Sequence, residues 1–566
     1  MLKGALKQFL RGKFWLLFLL VAGTISWSLT MVKSGIIYQF GMGFWGPNGH
    51  DGVWHVALSE SLAKGSLNMP TFAGIKLQNY HIGFDLIVAG INRLTSIPVT
   101  TLYFQIFPPL LAMGIGILSY LFVKKWKNSE SAALWSLFFV FFGGSLGWVL
   151  GKGESAFWSQ QAISTLINPP FALSLVLTLA GLILLIKKKY VLAAIFFGLL
   201  IEIKAYAGLL ALGALLASGV WKALMEKKFN ILGVFVGSLV ISLALFIPLN
   251  RNSVNLLVFQ PFWFLETMIG LSDRIGWQRF FSAMTNYKLG GLWWKWIPTY
   301  TAAFIIFNVG NLGTRLIKDV WIFNKLKKFK NLTWIDIFLL SIIGAGIIIP
   351  TFFLQKGTPW NTIQFFYYSV FFSAILAGVS VGKLLENKSN KFKVIFSTFL
   401  IILTVPTTVI TLSEVYIPSR PPAKISNEEL VALKFLRSQP NGVVLTYPFD
   451  EFKAKEAIKN PPRPLYLYDS TAYVSAFSAK PVYLEDQVNL DITGYDWRVR
   501  REKVLWFIST RDQDEAKKFL KENNIKYLYL VKDASPLVGE GLKLGSGQLG
   551  LIKLFANMEV DIYRVD

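Results

Sequence analysis

Apolar runs of bilayer-spanning length recur along the first 410 or so residues of this 566-residue chain. In lipid a segment must satisfy its own backbone hydrogen bonds, so runs of about 20 apolar residues form transmembrane helices. The pattern predicts about eleven such helices. They lie at about 14–31, 100–123, 131–149, 170–186, 190–203, 205–221, 230–248, 297–317, 334–354, 365–383 and 393–412. The chain is therefore predicted to be a mainly α, polytopic membrane protein.

Two parts of the chain lack these long runs. In the first, at about 32–99, the segments DGVWHVALSESLAKG and IGFDLIVAGI predict helices that lie on the membrane surface, because the first is amphipathic and the second is too short to span. In the second, from about 414, strand-like runs such as GVVLTYPF alternate with helical patterns, which predicts a small α/β domain. We therefore expect a transmembrane domain at 1–413, with its long outer loop at 32–99, and an extracytoplasmic domain at 414–566.

Charge sets the expected orientation of the chain. The net charge of +24 lies in short basic clusters between apolar runs, such as KKWK at 124–127 and KKK at 187–189, and charged residues make up only 16% of the sequence. Lysine and arginine between helices favour the cytoplasmic side of a membrane, so this distribution argues against nucleic acid as a partner. It predicts a multi-pass integral membrane protein with a cytoplasmic N-terminus and with the 32–99 loop and C-terminal domain outside.

The first outer loop holds all three histidines of the chain, His50, His55 and His81, together with Asp51 and Asp85. Side chains four residues apart share a helix face, so Asp51 with His55, and His81 with Asp85, are each expected to point the same way. A carboxylate beside an imidazole meets the requirement for a general base, and Asp51 has two such neighbours. A structural alternative is that Asp51 caps the helix that follows it.

The same side chains are also of the types that bind metal. A divalent ion could be held by His50, Asp51, His55 and His81. The spacing is not specific to any metal, so a divalent ion stays an alternative and no cofactor is assigned.

A second group of polar residues lies at the ends of apolar runs on the predicted outer side. Glu202 and Lys204 follow about a dozen apolar residues, and charges at that depth are usually functional. Arg251 and Lys356 end helices on the same side. These cations predict a site for an anionic lipid phosphate, with Glu202 orienting Lys204, whereas pairing or snorkelling to the interface is the alternative. Sugar or headgroup contacts are expected from Trp360, Asn361 and Gln364, although packing also accounts for Trp360.

The order of these features resembles that of the C-type glycosyltransferases, such as the protein O-mannosyltransferases and the lipid A aminoarabinose transferases. The resemblance covers roughly residues 1–250 in architecture and is sharpest over 48–90. Asp51 stands at the position of the family's catalytic acidic residue. Tyr80 and His81 stand where relatives carry a His-Pro-Pro or Lys-Pro-Pro motif, and here the sequence reads NYHIGFD.

This resemblance implies inverting transfer of a sugar from a polyprenyl-phosphate donor to a glycan, lipid or protein acceptor on the outer face of the membrane. Asp51 would be the general base, with His50 and His55 beside it. The donor phosphate would be bound by Lys204, Glu202, Arg251, Lys356 and His81. Further substrate contacts would come from Tyr80, Asp85, Trp360, Asn361 and Gln364.

Two other functions remain open at this stage, a non-catalytic membrane scaffold and a lipid or polysaccharide transporter. The C-terminal domain adds one more open choice. Its segment YLEDQVNLDITGYDW carries Asp486, Asp491, Tyr495 and Asp496, which either face the site or cap turns.

Overall fold

The structure is a computed structural model that describes residues 2–250, 257–534 and 549–566, with side chains from residue 13 onward. Contacts divide the chain into two compact units. The membrane unit comprises Met1–Thr30, Pro108–Pro248 and Ser253–Ile417. The loop unit comprises Met31–Phe107, Leu249–Asn252 and Pro418–Asp566. The first loop and the C-terminal segment therefore form one unit, while the predicted domains 1–413 and 414–566 stay a prediction.

Helices and strands follow in chain order over the described residues. The first twelve helices are α1 Leu2–Ser28, α2 Asp51–Ala63, α3 Gly83–Thr95, α4 Val99–Thr101, α5 Phe107–Lys127, α6 Glu130–Phe142, α7 Pro169–Ile186, α8 Tyr190–Ile203, α9 Ala205–Glu226, α10 Asn230–Leu249, α11 Trp263–Gly270 and α12 Gln278–Leu289. The next twelve are α13 Trp293–Leu312, α14 Lys318–Leu326, α15 Trp334–Phe352, α16 Gln364–Leu385, α17 Asn390–Thr404, α18 Pro406–Thr411, α19 Asn427–Ser438, α20 Glu451–Ala457, α21 Tyr473–Ser478, α22 Gln487–Thr493, α23 Trp497–Ser509 and α24 Gln513–Glu522. The strands are β1 Ile36–Tyr38, β2 Gly41–Phe44, β3 Leu257–Phe259, β4 Phe353–Gln355, β5 Ala423–Ile425, β6 Val443–Thr446, β7 Arg463–Pro464, β8 Ile525–Val531, β9 Leu551–Ala556 and β10 Val560–Val565.

Seven helical segments of the described chain are long and apolar enough to cross a bilayer. They are Val99–Lys127, Pro169–Ile186, Ala205–Glu226, Asn230–Leu249, Trp334–Phe352, Pro359–Leu385 and Asn390–Tyr416. Three shorter apolar helices are Lys13–Ser28, Glu130–Phe142 and Tyr190–Ile203, and α13 occupies the remaining predicted position. The prediction of a mainly helical, polytopic membrane protein is confirmed, whereas the count of eleven spans stays a prediction.

One predicted helix is shorter than expected. The apolar run at 131–149 predicts a helix of that length, but α6 ends at Phe142. Gly143, with ψ at 121°, leaves the helical conformation directly after it. A Cβ at Gly143 would lie 2.5 Å from the Phe139 carbonyl oxygen, so the chain can turn there because the residue is glycine.

The core of the membrane unit is α16, which packs against α6 and α15. Two glycines allow the close approach to α6, because a Cβ at Gly378 would lie 2.0 Å from the Ser136 nitrogen and one at Gly382 would lie 2.6 Å from the Ala132 Cα. The Ser136 hydroxyl donates to the Ile375 carbonyl at 2.8 Å. Small residues and interhelical hydrogen bonds of this kind hold helices together in lipid, where apolar burial contributes little.

A fully buried arginine lies in the same unit. Nε of Arg315 donates to the Leu312 carbonyl at 3.0 Å, and Nη2 donates to the carbonyls of Gly144 at 3.2 Å and Asn311 at 2.6 Å. Nη2 also bonds the Gln161 side chain. Charged groups inside membrane proteins are usually functional, but these donors are used to satisfy backbone carbonyls where helices end, so we assign Arg315 a structural role.

Two four-stranded sheets organise the loop unit. The first has the order β1-β2-β5-β7, and its central pair is antiparallel, with Met42 opposite Ile425. The second has the order β6-β8-β10-β9, in which β6 and β8 are parallel and the other pairs are antiparallel. The first sheet therefore joins strands of the first loop to strands of the C-terminal segment.

The helix α2 differs from the predicted surface helix. Its residues from Gly52 to Leu62 are buried with the exception of Ser61. Within the unit it contacts both α3 and α21. The buried carboxylate of Glu60 accepts two hydrogen bonds from Arg437 of α19, at 3.1 and 2.8 Å. The prediction was wrong for α2 because the C-terminal helices that cover its polar face are remote in sequence.

Candidate functional site

A short turn between β2 and α2 places His50 and Asp51. The Ser34 hydroxyl fixes this turn by accepting hydrogen bonds from the Trp45 nitrogen at 3.0 Å and the Asn48 side chain at 2.9 Å. The N-cap position of α2 falls on His50, and Asp51 is the first residue of the helix. The alternative in which Asp51 is the N-cap residue is therefore wrong.

Asp51 and His50 form an accessible pair. Their Oδ1 and Nδ1 atoms lie 3.0 Å apart, and the side chain of Asp51 is 55% exposed. Burial alone would lower the pKa of His50, but the charge of Asp51, its hydrogen bond and the charges of Asp486 and Asp469 outweigh this, so the pKa of His50 is raised. The pair thus joins an exposed carboxylate to an imidazole whose pKa lies above its ordinary value.

A carboxyl group of the C-terminal segment adjoins this pair. Asp486 is buried, is the N-cap residue of α22 and accepts hydrogen bonds from the Asn489 nitrogen at 3.2 Å and side-chain amide at 2.8 Å. The pKa of Asp486 is raised to about 7, mainly by burial and in part by the charge of Asp51, against the opposing effects of the Asn489 hydrogen bonds and of His50. These mutual effects place Asp486 within electrostatic reach of both Asp51 and His50.

The other residues of the segment YLEDQVNLDITGYDW have structural contacts. The Tyr495 hydroxyl donates to the Lys76 carbonyl at 2.6 Å and accepts from the Gln78 nitrogen at 3.1 Å. Asp491 accepts a hydrogen bond from Trp497 at 2.9 Å, and Asp496 occupies the N-cap position of α23. Asp486 therefore faces the candidate site, and Tyr495 anchors the chain that leads to Tyr80.

The remaining histidine–aspartate pair is buried and joins two helices. Nδ1 of His55, on α2, lies 3.0 and 3.2 Å from the two carboxylate oxygens of Asp85, on α3. The Ser59 hydroxyl donates to the same carboxylate at 3.1 Å, and Asp85 is 0% exposed. The pairing of His81 with Asp85 on one helix face was wrong, because α3 begins at Gly83 and His81 precedes it.

Aromatic rings lie around this pair, because the His55 ring contacts those of Tyr80, Phe84 and Tyr103. Tyr80 stacks on His81 with ring centroids 4.6 Å apart and meets Trp54 edge-on at 5.4 Å. Burial, followed by the charges of Asp85, Asp51 and Asp486, raises the pKa of Tyr80 well above its usual range. The Tyr80 hydroxyl is therefore protonated at neutral pH and is a hydrogen-bond donor.

The predicted metal ligands do not assemble into a site. Among the residues that the structure describes, no three His, Cys, Asp or Glu side chains are grouped so that they could hold a metal ion. His55 is engaged with Asp85 and His50 with Asp51. The alternative set of His50, Asp51, His55 and His81 is thus not supported by the geometry.

In the membrane unit, Lys204 is the single residue between α8 and α9. It adopts an extended backbone, with φ −158° and ψ 110°, and is 4% exposed; Glu202, in the last turn of α8, is also buried. Nζ of Lys204 lies 5.5 Å from the centroid of the Tyr206 ring, and the Tyr206 hydroxyl donates to Gln355 at 2.6 Å. This contact brings the turn at Lys204 to the segment that follows β4.

That segment contains the other predicted contacts of the membrane unit. Lys356 is exposed, and Trp360 is about half exposed. The Asn361 side chain donates to the Thr358 hydroxyl at 3.2 Å, and the Gln364 side chain donates to Asn361 at 3.4 Å. Arg251 lies outside the described residues, so its part in this site stays a prediction.

Tyr468 and Asp469 both interact with His50, and neither was identified from the sequence. The His50 ring stacks on Tyr468, with centroids 6.3 Å apart, and Asp469 acts on the charge of His50. The Arg463 guanidinium lies 3.3 Å from the centroid of the Tyr468 ring. The run YLYDS carries these aromatic and acidic residues, but nothing in its spacing connects it to a loop more than 400 residues earlier.

Neither a protein-family model nor a curated protein matches the chain. Among solved structures, the arabinofuranosyltransferase AftD from Mycobacteria is similar with a TM-score of 0.51 and 13% identity, over 98% of this chain and 40% of that one. The oligosaccharyltransferase of Archaeoglobus fulgidus, tethered with an acceptor peptide, has a TM-score of 0.49 at 12% identity, over 92% of this chain and 69% of that one. ArnT from Cupriavidus metallidurans, bound to undecaprenyl phosphate, has a TM-score of 0.38 at 12% identity, over 97% and 98%.

At these identities the likeness concerns the fold. It confirms the resemblance that the sequence predicted: the chain is similar in architecture to C-type glycosyltransferases.

Proposed function

We propose that the chain is a membrane glycosyltransferase that transfers a sugar from a polyprenyl-phosphate donor to an acceptor hydroxyl or amine, with inversion at the anomeric carbon. The observation that carries this proposal is the exposed Asp51 carboxylate, hydrogen-bonded to His50 at the start of α2. A fold shared with AftD supports the reaction class.

Asp51 acts as the general base. It takes the proton of the acceptor hydroxyl as the oxygen forms a bond to the anomeric carbon, and the bond from that carbon to the phosphate oxygen breaks with its electron pair. His50, whose pKa is raised mainly by Asp51 against the effect of burial, stabilises the ionised carboxylate before the reaction. Because phosphate is a good leaving group, the transfer needs no acid to protonate it. One base and a cationic site for the phosphate are sufficient for the reaction.

The donor phosphate is bound by Lys204 and Lys356, with Glu202 orienting the first of these. The contact of Tyr206 with both Lys204 and Gln355 supports this role, because it places two lysine-bearing segments together. A desolvated lysine stabilises developing negative charge strongly. Arg251 and His81 remain in the proposed set, as do Trp360, Asn361 and Gln364 for the donor sugar or headgroup.

Two residues of the predicted site position the helix that carries Asp51, and a third lies beside them. His55 and Asp85 hold α2 against α3 through a buried hydrogen bond, and this fixes the direction in which α2 starts. Tyr80 packs against the rings of Trp54 and His55 on α2. We assign His55 and Asp85 as positioning residues, and Tyr80 as a hydrogen-bond donor to substrate.

The proposed arrangement in the membrane has eleven spans, a cytoplasmic N-terminus and the loop unit outside. Basic clusters at the ends of α5 and α7, at Lys124, Lys125 and Lys127 and at 187–189, support it. Glycan, lipid and protein all remain acceptor classes for this reaction.

The test is donor consumption by the purified protein in lipid nanodiscs. Radiolabelled polyprenyl-phosphate sugars are incubated with the protein and a crude acceptor fraction, and label is followed out of the lipid phase. A glycosyltransferase moves label to the acceptor and releases polyprenyl phosphate. A transporter or a scaffold leaves the donor intact, and that result would contradict the proposal.

A further inference from the structure

A pocket lies in the loop unit where two parallel strands end. Thr446 ends β6 and Val531 ends β8, and both line the pocket, which is partly open to solvent. The carboxyl ends of parallel strands are the usual position of ligand sites in α/β sheets. The pocket is therefore placed where this part of the fold would hold a small ligand.

The chemistry of the lining is acidic and aromatic. Among the described residues that line the pocket there are four carboxyl groups and four tyrosines, and there is no lysine or arginine. None of these lining residues offers a cation to a phosphorylated or otherwise anionic ligand. Carboxylates accept hydrogen bonds from hydroxyl groups, and aromatic faces pack against the C–H faces of sugar rings, so the lining favours an uncharged carbohydrate.

Not all of these carboxyl groups are available. The buried Glu485 accepts hydrogen bonds from the Val474 nitrogen at 2.7 Å and from the Ser475 nitrogen and hydroxyl at 3.1 and 3.0 Å, so it holds the start of α21. Asp450 uses Oδ1 to cap α20. Asp469 is exposed at the rim. Asp469 is thus the carboxylate best placed to meet a ligand.

A buried hydroxyl gives an independent sign of a ligand. Thr471 lines the pocket and is 4% exposed, yet Oγ1 makes no hydrogen bond within the described part of the chain. Buried polar groups are nearly always hydrogen-bonded, so each exception needs an explanation. A ligand hydroxyl in the pocket would supply the missing partner.

The pocket adjoins the candidate base through two of its lining residues. Tyr468 lines it and stacks on the His50 ring. Asp486 also lines it, and the charge of Asp51 acts on this carboxyl group. A sugar seated in the pocket would thus lie beside the residues that surround Asp51.

We infer that this pocket binds a terminal sugar of an uncharged glycan acceptor and presents one of its hydroxyls to Asp51. The delivery of that hydroxyl rests on the proposed transferase function, whereas the binding of the sugar does not. Of the acceptor classes that the reaction allows, glycan is therefore the one proposed. The role of the C-terminal segment in the site is to bind this acceptor.

The test measures saccharide binding to the full chain in nanodiscs by saturation-transfer NMR. The probes are mannotriose, maltotriose, galactotriose and arabinotriose, each beside a counterpart with a terminal phosphate. We expect saturable binding of at least one uncharged trisaccharide and weaker binding of its phosphorylated form. Thr471→Val, which keeps the side-chain shape, and Asp469→Ala should each weaken binding about tenfold, because each removes a hydrogen-bond partner of the sugar. Thr95→Val, a hydroxyl change outside the lining, should leave it unchanged.

Measurements of saccharide binding and of sugar transfer distinguish the pocket assignment from the proposed transferase function. Asp51→Asn should retain trisaccharide binding and lose transfer. Absence of binding by all four uncharged probes, preference for the phosphorylated forms, or wild-type binding by both pocket variants would overturn the pocket assignment, even with the donor consumed by the wild-type protein. Saccharide binding without any donor consumption would uphold the pocket and overturn the transferase.

Discussion

At the scale of single residues, burial separates two aspartates that look alike in the sequence. Asp51 and Asp85 both lie in the loop with the histidines, but Asp51 is exposed and Asp85 is enclosed between α2 and α3. The spacing identified the loop and both carboxylates. It did not identify Asp85 as the partner of His55. The two residues lie on different helices, and four-residue spacing indicates only which residues share a face of one helix.

Replacement of Asp85 should cost stability where replacement of Asp51 does not. Asp85→Ala removes the acceptor for both His55 and Ser59 and leaves a buried imidazole unpaired, so we expect a loss of about 2–4 kcal/mol in the free energy of unfolding. Asp51→Ala, in the first turn of α2, should cost less than about 1 kcal/mol. Thermal unfolding in nanodiscs compares the two variants. Equal losses would contradict the division of roles.

A second residue-scale prediction concerns pH. Burial raises the pKa of Asp486 to about 7 and that of Glu485 to about 8. The folded protein holds these protons more tightly than the unfolded chain, so their contribution to stability is full below the ordinary carboxyl pKa. It is lost as the pH rises through the folded values. The protein should therefore lose stability from these groups between pH 5 and 8.

Asp486→Asn tests this, because an amide has no proton to lose. Melting temperatures at pH 5 and pH 8 should differ less in Asp486→Asn than in the wild type, whereas Asp491→Asn, at a partly exposed carboxylate, should behave as the wild type. A variant with an unchanged pH dependence would show that Asp486 does not titrate in this range.

At the scale of elements, the sheet β1-β2-β5-β7 decides where α2 begins. Its strands have only two to four residues each, and the central pair joins positions about 380 residues apart. Short strands without alternation give little signal, so this sheet could not be predicted. The strand β6, by contrast, lies within the run GVVLTYPF that the sequence pattern predicts as a strand.

Gly41 is the residue of this sheet most sensitive to change. It has φ +107°, and a Cβ there would lie 2.1 Å from the Ile425 carbonyl oxygen. Gly41→Ala should therefore break the pairing of β2 with β5 and cost about 3 kcal/mol or more, through backbone strain and the clash. Gly74→Ala is the matched control, because Gly74 also has positive φ, at +85°, but has open space around it. Unfolding measurements with equal losses would contradict the role of the β2–β5 contact.

The turn between α8 and α9 contains Lys204, whose proposed role is to bind the donor phosphate. Lys204→Met keeps the length and apolar stem of the side chain and removes its charge. The dissociation constant for polyprenyl phosphate should rise about tenfold to a hundredfold, as expected for one charge-assisted hydrogen bond. Lys187→Met, at the C-cap of α7, is the control. Unchanged binding by Lys204→Met would remove Lys204 from the phosphate site.

At the scale of the whole molecule, hydropathy and charge predicted the class of protein and the positions of its apolar helices. In lipid a long apolar run must form a helix to satisfy its own backbone hydrogen bonds, so its structure can be predicted from the sequence. The union of the first loop with the C-terminal segment was not foreseen, because it depends on strand pairing and on pairs such as Glu60 with Arg437 between distant segments. Asp51 is proposed from the sequence alone, whereas the position of Asp486, which the sequence left open, became evident only with the fold.

The central claim is that Asp51 removes the acceptor proton, and Asp51→Asn tests it most directly. The variant keeps the size of an exposed side chain, so its melting temperature should match that of the wild type. Sugar transfer from the polyprenyl-phosphate donor should fall by about 100-fold or more, the usual contribution of a general base. A folded Asp51→Asn protein that transfers sugar at the wild-type rate would contradict the account.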